Sequence, residues 1–379
     1  MSTALLRVAE GELDPGEVAG VFAAALRDRA DGRAIDACQA WAALERAARA
    51  AGLRRLAVRA GAERALTLTW VGALSGAGLL CEALLAELEE LERDGAAPQP
   101  RELAGAGGAW PSVAGLHRLR AEQLRRAGDY VGAFEELEEA GRWPDLPARA
   151  ALPLWGRAIL SESLRLAGDF EGAWEVATAA ARRAGAPGVH PWVEVAVRRA
   201  EARALLALGE PEEAIARFEA LARDDRHRHA DNRIACDLGI GEALRRRGRP
   251  ERAERHLRRA RAAALGHGQA VGAIRAQLGL AELARARRAD PAEVAGLVGE
   301  AQRQLLLGEH PWLRLRAFAL AALSARGRRA ELLLDRAEDE LPRFHRRSCD
   351  LELERELLER CRLDAGRGAA AEPIELDFL

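Results

Sequence analysis

The sequence has 379 residues and a formal net charge of −2, and because it contains no lysine, all 57 basic side chains are arginine. Hydrophobic residues make up 49% of the chain but aromatic residues only 4%. Alanine, leucine, arginine and glutamate favour helices, whereas the residue types that favour strands are scarce. This composition excludes a β-sandwich, a barrel and a doubly wound sheet, and the high apolar content argues against disorder. We therefore predict an all-α protein.

The composition also bears on where the protein is found. Acidic residues occur early, at Glu10 and Glu12, where a signal peptide would carry its apolar segment. The five cysteines are far apart and form no CxxC pair, which indicates buried thiols in a reducing compartment. The uncharged run 65–81 is shorter than the roughly 20 residues of a membrane span. It predicts a helix, a turn and the start of a second helix, all buried. We expect a cytoplasmic protein without membrane contact.

Residues 1–95 form the first predicted region and contain two degenerate helical pairs. Around Gly32, the residues five, nine and twelve positions further on are Ala37, Trp41 and Leu44. A second pair is placed around Gly78, on the basis of Trp70, Val71, Leu74 and Ala83. Residues 96–113 are rich in glycine, alanine and proline and break the helical periodicity, so a loop is predicted there.

A segment of about 40 residues then recurs four times between about 116 and 265. Each copy has a turn glycine, with a small residue seven positions before it and an alanine five positions after it. The glycines are Gly128, Gly168, Gly209 and Gly248, and the alanines are Ala133, Ala173, Ala214 and Ala253. Small residues at these positions predict two antiparallel helices that cross closely, and the glycine supplies the left-handed conformation that ends the first helix.

Two weaker copies follow this array. In the first, Arg288 takes the turn position and the turn holds one extra residue. In the second, around Gly327, Leu332 stands where alanine is expected. Proline is predicted in the first turn of three second helices, where a missing N–H has no cost: Pro211, Pro250 and Pro291.

This pattern resembles the tetratricopeptide repeat, whose two-helix motif has a small residue in the first helix, a turn glycine and alanines in the second. The resemblance implies a right-handed superhelical solenoid of antiparallel helix pairs over residues 114–345. A period near 40 exceeds the usual 34 and resembles the longer repeats of bacterial regulatory proteins. We predict a capping helix at 346–363 and a flexible tail at 364–379. The tail ends in alternating apolar and acidic residues, and either docks in a groove or frays, which is the commoner outcome.

Charged residues recur on the first helices at the two positions that usually line the concave groove in tetratricopeptide folds. Six residues before the turn stand Glu122, Glu162, Glu242 and Glu282, and three before it stand Arg125, Arg165, Arg245 and Arg285. The third copy has Arg203 and Leu206 instead, and Arg118 and Arg199 occupy a neighbouring groove position. These residues are either ordinary i, i+3 pairs, which the pattern favours, or an arginine-lined face that binds the carboxylates of a peptide.

Other candidate sites are weaker. His227 and His229 stand among aspartates and arginines at 223–233, which indicates a solvated loop more than a metal site. Four tryptophans near repeat junctions are expected to pack between repeats rather than form ligand cages: Trp143, Trp155, Trp192 and Trp312. No catalytic signature or phosphate loop occurs, so no enzyme, cofactor or metal is predicted. The balanced charge argues against nucleic-acid binding.

These observations lead to two functional hypotheses. The first is a non-enzymatic scaffold or adaptor that binds a protein or peptide partner in a groove lined by arginine and glutamate. The second is a sensory or regulatory protein that controls a separate output protein. Whether the chain forms a homodimer stays open.

Overall fold

The computed structural model describes residues 15–31, 33–95, 112–143, 152–187, 189–224, 230–305, 310–325, 327–341 and 352–367. Most of the loop predicted at 96–113, the pair His227 and His229, and the end of the predicted tail lie outside these ranges. All regular secondary-structure elements within these ranges are helices, and none of these residues belongs to a strand. The all-α prediction is confirmed. No helix in the described ranges is long and apolar enough to cross a membrane.

The chain forms two compact units. Unit 1 comprises Met1–Gln123 and Glu135–Pro153, and unit 2 comprises Leu124–Phe134 and Leu154–Leu379. Unit 1 holds the helices α1 (Pro15–Ala30), α2 (Ala34–Ala50), α3 (Arg54–Val71) and α4 (Leu74–Arg93). The next two, α5 (Val113–Ala127) and α6 (Tyr130–Arg142), each contribute residues to both units.

Unit 2 contains the remaining helices, nearly all in consecutive pairs, except that the first two residues of α7 belong to unit 1. They are α7 (Leu152–Leu166), α8 (Phe170–Ala184), α9 (Pro191–Ala207), α10 (Pro211–Arg223), α11 (Ala230–Arg246), α12 (Pro250–Gly266), α13 (Ala270–Ala286), α14 (Pro291–Leu305), α15 (Pro311–Leu323), α16 (Arg328–Glu338) and α17 (Glu352–Arg367). Prolines begin the second helices α10, α12 and α14, as predicted. The capping helix predicted at 346–363 overlaps α17, but the predicted start of the tail is wrong, because α17 continues through residues 364–367 to Arg367.

Unit 2 is built in two layers. Each helix from α8 to α16 packs against the next one along the chain. In addition, α9 contacts α11, α11 contacts α13, and α13 contacts α15. The first helices of successive pairs are therefore neighbours and form one continuous layer, called here the inner layer. The second helices of the pairs cover its other side.

The turns inside the pairs have the predicted geometry. Gly128, Gly168, Gly209 and Gly248 all have positive φ, between 64° and 91°. The N–H of the residue after each glycine donates to the carbonyl oxygen five residues earlier, at 2.8–3.0 Å. This is the Schellman motif, which satisfies carbonyl groups at the end of the first helix. Arg288 adopts the same conformation, with φ 56°, which confirms that it holds the turn position.

Replacing Arg288 by glycine is expected to stabilise the protein. A residue with a Cβ is disfavoured in the left-handed region by roughly 1–2 kcal/mol. The greater freedom of glycine in the unfolded chain offsets about 0.4–1 kcal/mol of that gain. We expect Arg288→Gly to increase the free energy of unfolding by a few tenths of a kcal/mol to about 1 kcal/mol, measured by urea denaturation. A decrease would show that the exposed Arg288 side chain makes a stabilising contact.

The small residues meet where the helices cross. Ala133, Ala173, Ala214 and Ala253 are all fully buried. In the second copy, Ser161 Oγ donates to the carbonyl oxygen of Ala173 at 2.8 Å. In the fourth, a Cβ added to Gly241 would lie 3.5 Å from the carbonyl oxygen of Ala253. Residues seven before and five after the turn therefore face each other, as predicted.

The prediction for the second pair of unit 1 has the wrong register. The turn lies at Gly72, which has φ 85° and ends α3, whereas Gly78 is buried within α4. Counted from Gly72, the residues at the same offsets are Ala77, Cys81 and Leu84, all fully buried. The run 65–81 is helix, turn and helix as predicted, but not all buried, because Trp70 is 43% and Leu79 is 70% exposed.

The last pair also differs from the prediction. Leu332 is 54% exposed and does not take the place of the crossing alanine. Because α15 ends at Leu323, the turn starts about two residues early, and Ala330, Leu334 and Ala337 are the buried residues of α16. In the α13–α14 pair, the extra turn residue shifts the buried set to Val294, Val298 and Ala301.

Candidate functional site

Equivalent positions of successive repeats lie side by side in the inner layer of unit 2. Glu162 on α7 and Arg203 on α9 each stand six residues before a turn glycine, and their side chains form an ion pair at 3.3 Å. Arg246 Nη1 on α11 also donates to the carbonyl oxygen of Leu206 on α9 at 3.0 Å, which links the ends of these two helices. The position six residues before the turn is thus shared between neighbouring first helices at α7 and α9, and the equivalent charged positions on the first helices are called here the row.

Two glutamates of this row are fully paired by arginines of their own helix. Arg245 donates to both oxygens of Glu242, at 2.9 and 2.6 Å, and Arg246 adds a third hydrogen bond at 3.0 Å. Arg285 donates to both oxygens of Glu282, at 3.3 and 2.8 Å. Both glutamates are buried. These pairs are therefore structural and stronger than exposed i, i+3 pairs, since a two-pronged arginine bond fixes the geometry of a desolvated carboxylate.

Glu162 is surrounded differently. Arg165 and Arg203 both contact the same oxygen, Oε2, at 3.3 Å. The other oxygen, Oε1, is buried and has no hydrogen-bond partner among the described residues. Burial opposes ionisation, but the guanidinium groups of Arg203, Arg165, Arg125 and Arg275 together hold the pKa of Glu162 below its usual range. One carboxylate therefore experiences the field of four arginines.

Among the described residues, Arg275 contacts an aromatic ring and not a carboxylate. It lies on α13 with its Cζ atom 5.0 Å from the centre of the Trp312 ring. It forms no hydrogen bond or ion pair with any described residue, and its buried Nε is unsatisfied. Burial and the neighbouring Arg203, Arg126 and Arg125 lower its pKa well below the usual value, and the carboxylate of Glu162 opposes this only in part. Burial also lowers the pKa of Arg203, although Glu162 opposes this. Positive charge is thus concentrated at a partly buried position, since Arg203 and Arg275 both keep some exposure to solvent.

His310 borders this group of arginines. It precedes α15 and is only 4% exposed, and its Nε2 atom has no hydrogen-bond partner among the described residues. Burial together with Arg126, Arg275 and Arg314 lowers its pKa to about 3. The imidazole is therefore neutral at physiological pH and adds no charge, but it offers an unused polar nitrogen.

The remaining groove candidates and the predicted tryptophans lie outside the group of arginines around Glu162. Arg118 and Glu122 are buried in the part of α5 that belongs to unit 1. Arg199 bonds to Asp231 at 3.4 Å, and Leu206 is buried. Trp155 and Trp192 pack edge to face at 5.3 Å, joining α7 to α9 in the inter-repeat packing that the sequence predicts.

Sequence reasoning did not single out Arg275 or His310. Arg275 stands thirteen residues before the turn position Arg288, nearly two helical turns before Glu282 on the same helix. Because Trp155, Ala196 and Ala235 stand at this offset in the three preceding copies, the repeat pattern gives no signal for a charged residue there. Nothing in the local sequence of His310 indicates that it lies near arginines of other helices.

Metal ligands and thiols are the remaining groups that could carry chemistry. No group of three or more potential metal ligands occurs among the described residues. Burial raises the pKa of Cys81 and of Cys236 to about 12, so both are protonated at neutral pH and unsuited to nucleophilic attack.

No protein-family model matches the chain, and no curated protein matches it in sequence. Among solved structures, it is similar to a Rap protein complexed with competence and sporulation factor. The TM-score is 0.59 at 12% identity, covering 93% of this chain and 99% of that one. Two further structures are BtubC (BKLC) from P. vanneervenii, with TM-score 0.40, 15% identity and coverage of 67% and 95%, and the TPR domain of P58(IPK), with 0.24, 16%, 94% and 100%. The fold is that of a tetratricopeptide-like helical repeat protein.

Proposed function

We propose that this chain is a non-enzymatic, cytoplasmic scaffold or adaptor that binds an extended segment of a protein or peptide along the inner layer of unit 2. A repeat stack exposes a long surface without requiring a catalytic pocket. Apolar contacts and arginine–carboxylate bonds together hold the segment. The observation that carries the proposal is that two arginines, Arg165 and Arg203, contact the same oxygen of the buried carboxylate of Glu162 at 3.3 Å.

The regulatory alternative is a sensor that controls a separate output protein. Repeats near 40 residues favour it, since they resemble those of bacterial regulatory proteins. The similarity to the Rap protein, which was solved in complex with competence and sporulation factor, extends over 93% of this chain and supports a role in binding a partner. If a gene next to the one that encodes this chain encodes an output protein, such as a DNA-binding protein, that finding would favour the regulator over the general scaffold.

Affinity capture from an extract of the source organism tests the proposal. The bait is the full chain in three forms: wild type, Arg203→Gln/Arg275→Gln in the inner layer, and Arg252→Gln/Arg255→Gln as a control. The control arginines are exposed on the second helix α12. We expect one protein or peptide to bind the wild type and the control and to be lost, at least tenfold, from the inner-layer variant. If all three baits retain the partner equally, the inner layer is not the surface that binds it.

A further inference from the structure

The inner-layer arginines of unit 2 fall into two groups with different physical roles. Arg245 and Arg285 each have a glutamate of their own, bound through both carboxylate oxygens. Arg165 and Arg203 share one oxygen of Glu162, and Arg275 contacts no acidic side chain among the described residues. The second group, together with His310 and Trp312, is called here the Arg275 cluster.

Within the Arg275 cluster, Arg275 itself costs folding free energy. A guanidinium group that loses part of its water without forming an ion pair carries a desolvation penalty that is not fully compensated. Its proton stays in place even so, because arginine remains charged in proteins. The contact with the Trp312 ring returns only a small part of that penalty. If the side chain at this position only packed against its neighbours, an apolar residue would give a more stable protein.

An anion would complete the cluster. Guanidinium groups present N–H donors in a planar fork that matches a carboxylate, and such bonds are strongest where water is excluded. Arg203 and Arg275 retain unsatisfied Nε donors, and His310, a neighbour of Arg275, retains an unsatisfied ring nitrogen. Trp312 lies against Arg275 and restricts the movement of its guanidinium group.

We propose that Arg203 and Arg275, supported by Arg165, form a subsite for one carboxylate of the bound segment, supplied by an acidic side chain or by a free C-terminus. This inference rests on the proposed function and deepens it. It assigns the anchor of the ligand to the Arg275 cluster, and assigns Arg245 and Arg285 to the fold. The ligand is accordingly a segment that places a carboxylate opposite Arg275.

The stability of the unliganded protein separates a binding role from a structural one. Arg275→Met keeps the packing against Trp312 and removes the uncompensated charge, so we expect the melting temperature to rise by about 2 °C or more. Arg285→Met is the matched variant, and we expect its melting temperature to fall, because buried Glu282 loses its partner. A comparable fall in both variants would show that Arg275 serves the fold and would overturn the subsite.

Selection from a library of random hexapeptides tests the chemistry of the ligand. The library is prepared with free and with amidated C-termini and applied to wild type, Arg275→Met and the exposed control Arg252→Met. We expect wild type and control to enrich peptides with a carboxylate at one position, and Arg275→Met to lose this enrichment at least tenfold. Enrichment that survives amidation identifies a side chain as the source, and enrichment lost on amidation identifies the C-terminus. Acid enrichment that is unchanged in Arg275→Met would overturn the subsite.

A third measurement distinguishes failure of the subsite from failure of the proposed function. If wild type retains no peptide, binding of extended segments is wrong, and sodium sulfate then serves as the anion probe. At constant ionic strength, a subsite predicts a larger rise in melting temperature with sulfate for wild type and Arg252→Met than for Arg275→Met. Equal rises in all three proteins would reflect the general stabilising effect of sulfate and would overturn the subsite as well.

Discussion

Replacing Ala214 by arginine is expected to destabilise the protein by several kcal/mol. Ala214 is fully buried five residues after the turn glycine, where the equivalent alanines of other repeats face small residues of the first helix. Overpacking at such a crossing costs about 1–3 kcal/mol. Burying an unpaired charge adds further to that cost. Thermal or urea denaturation measures the loss.

Ala216→Arg is the matched control for this prediction. Ala216 lies two residues further along α10 and is exposed. Alanine and arginine both favour helices, so we expect this variant to change the free energy of unfolding by less than about 0.5 kcal/mol. A melting curve unaltered by Ala214→Arg would show that the repeat register is wrong in the third copy.

The second large effect concerns binding. Arg125→Glu combined with Arg165→Glu is expected to weaken partner binding by roughly 100-fold or more, because a charged hydrogen bond contributes about 1.5–3 kcal/mol and the new carboxylates repel the ligand. Arg165 is buried against Glu162, so we also expect a lower melting temperature. Helical content measured by circular dichroism should persist, since glutamate favours helices. Binding is therefore measured below the melting transition.

Arg252→Glu combined with Arg255→Glu controls for the change in net charge. Both residues are exposed on α12, so the net charge of the protein changes by the same amount while the inner layer stays intact. We expect binding close to that of wild type. If the control loses as much affinity as the inner-layer variant, a general electrostatic attraction, and not a defined site, holds the partner.

The helix pairs could be predicted from sequence wherever single residue types fix the local backbone conformation or the distance between two helices. Turn glycines with positive φ and alanines at close crossings leave few alternatives, and Arg288 could be placed from the spacing alone. The prediction failed at Gly78 because the uncharged run 65–81 contains three glycines, each able to end a helix. Packing between α3 and α4 selects Gly72, and that selection depends on contacts distant in sequence.

The site was predictable only in part. The glutamates and arginines recur at fixed offsets, so their place in the inner layer follows from periodicity. Which arginines are paired does not, because Glu242 and Glu282 bond within their helices while Glu162 is shared between α7 and α9. The approach of Arg275 to Trp312, and of His310 to both Arg126 and Arg275, depends on how α5, α13 and α15 are arranged within unit 2.

The proposed role of Arg275 is to bind the carboxylate of a ligand, and a double-mutant cycle tests this role most directly. Calorimetry measures the affinity of wild type and of Arg275→Gln for a selected peptide and for the same peptide with its carboxylate converted to an amide. We predict that the conversion weakens binding to wild type at least tenfold, about 1.4 kcal/mol, and changes binding to Arg275→Gln little. An equal loss of affinity for both proteins would contradict the account.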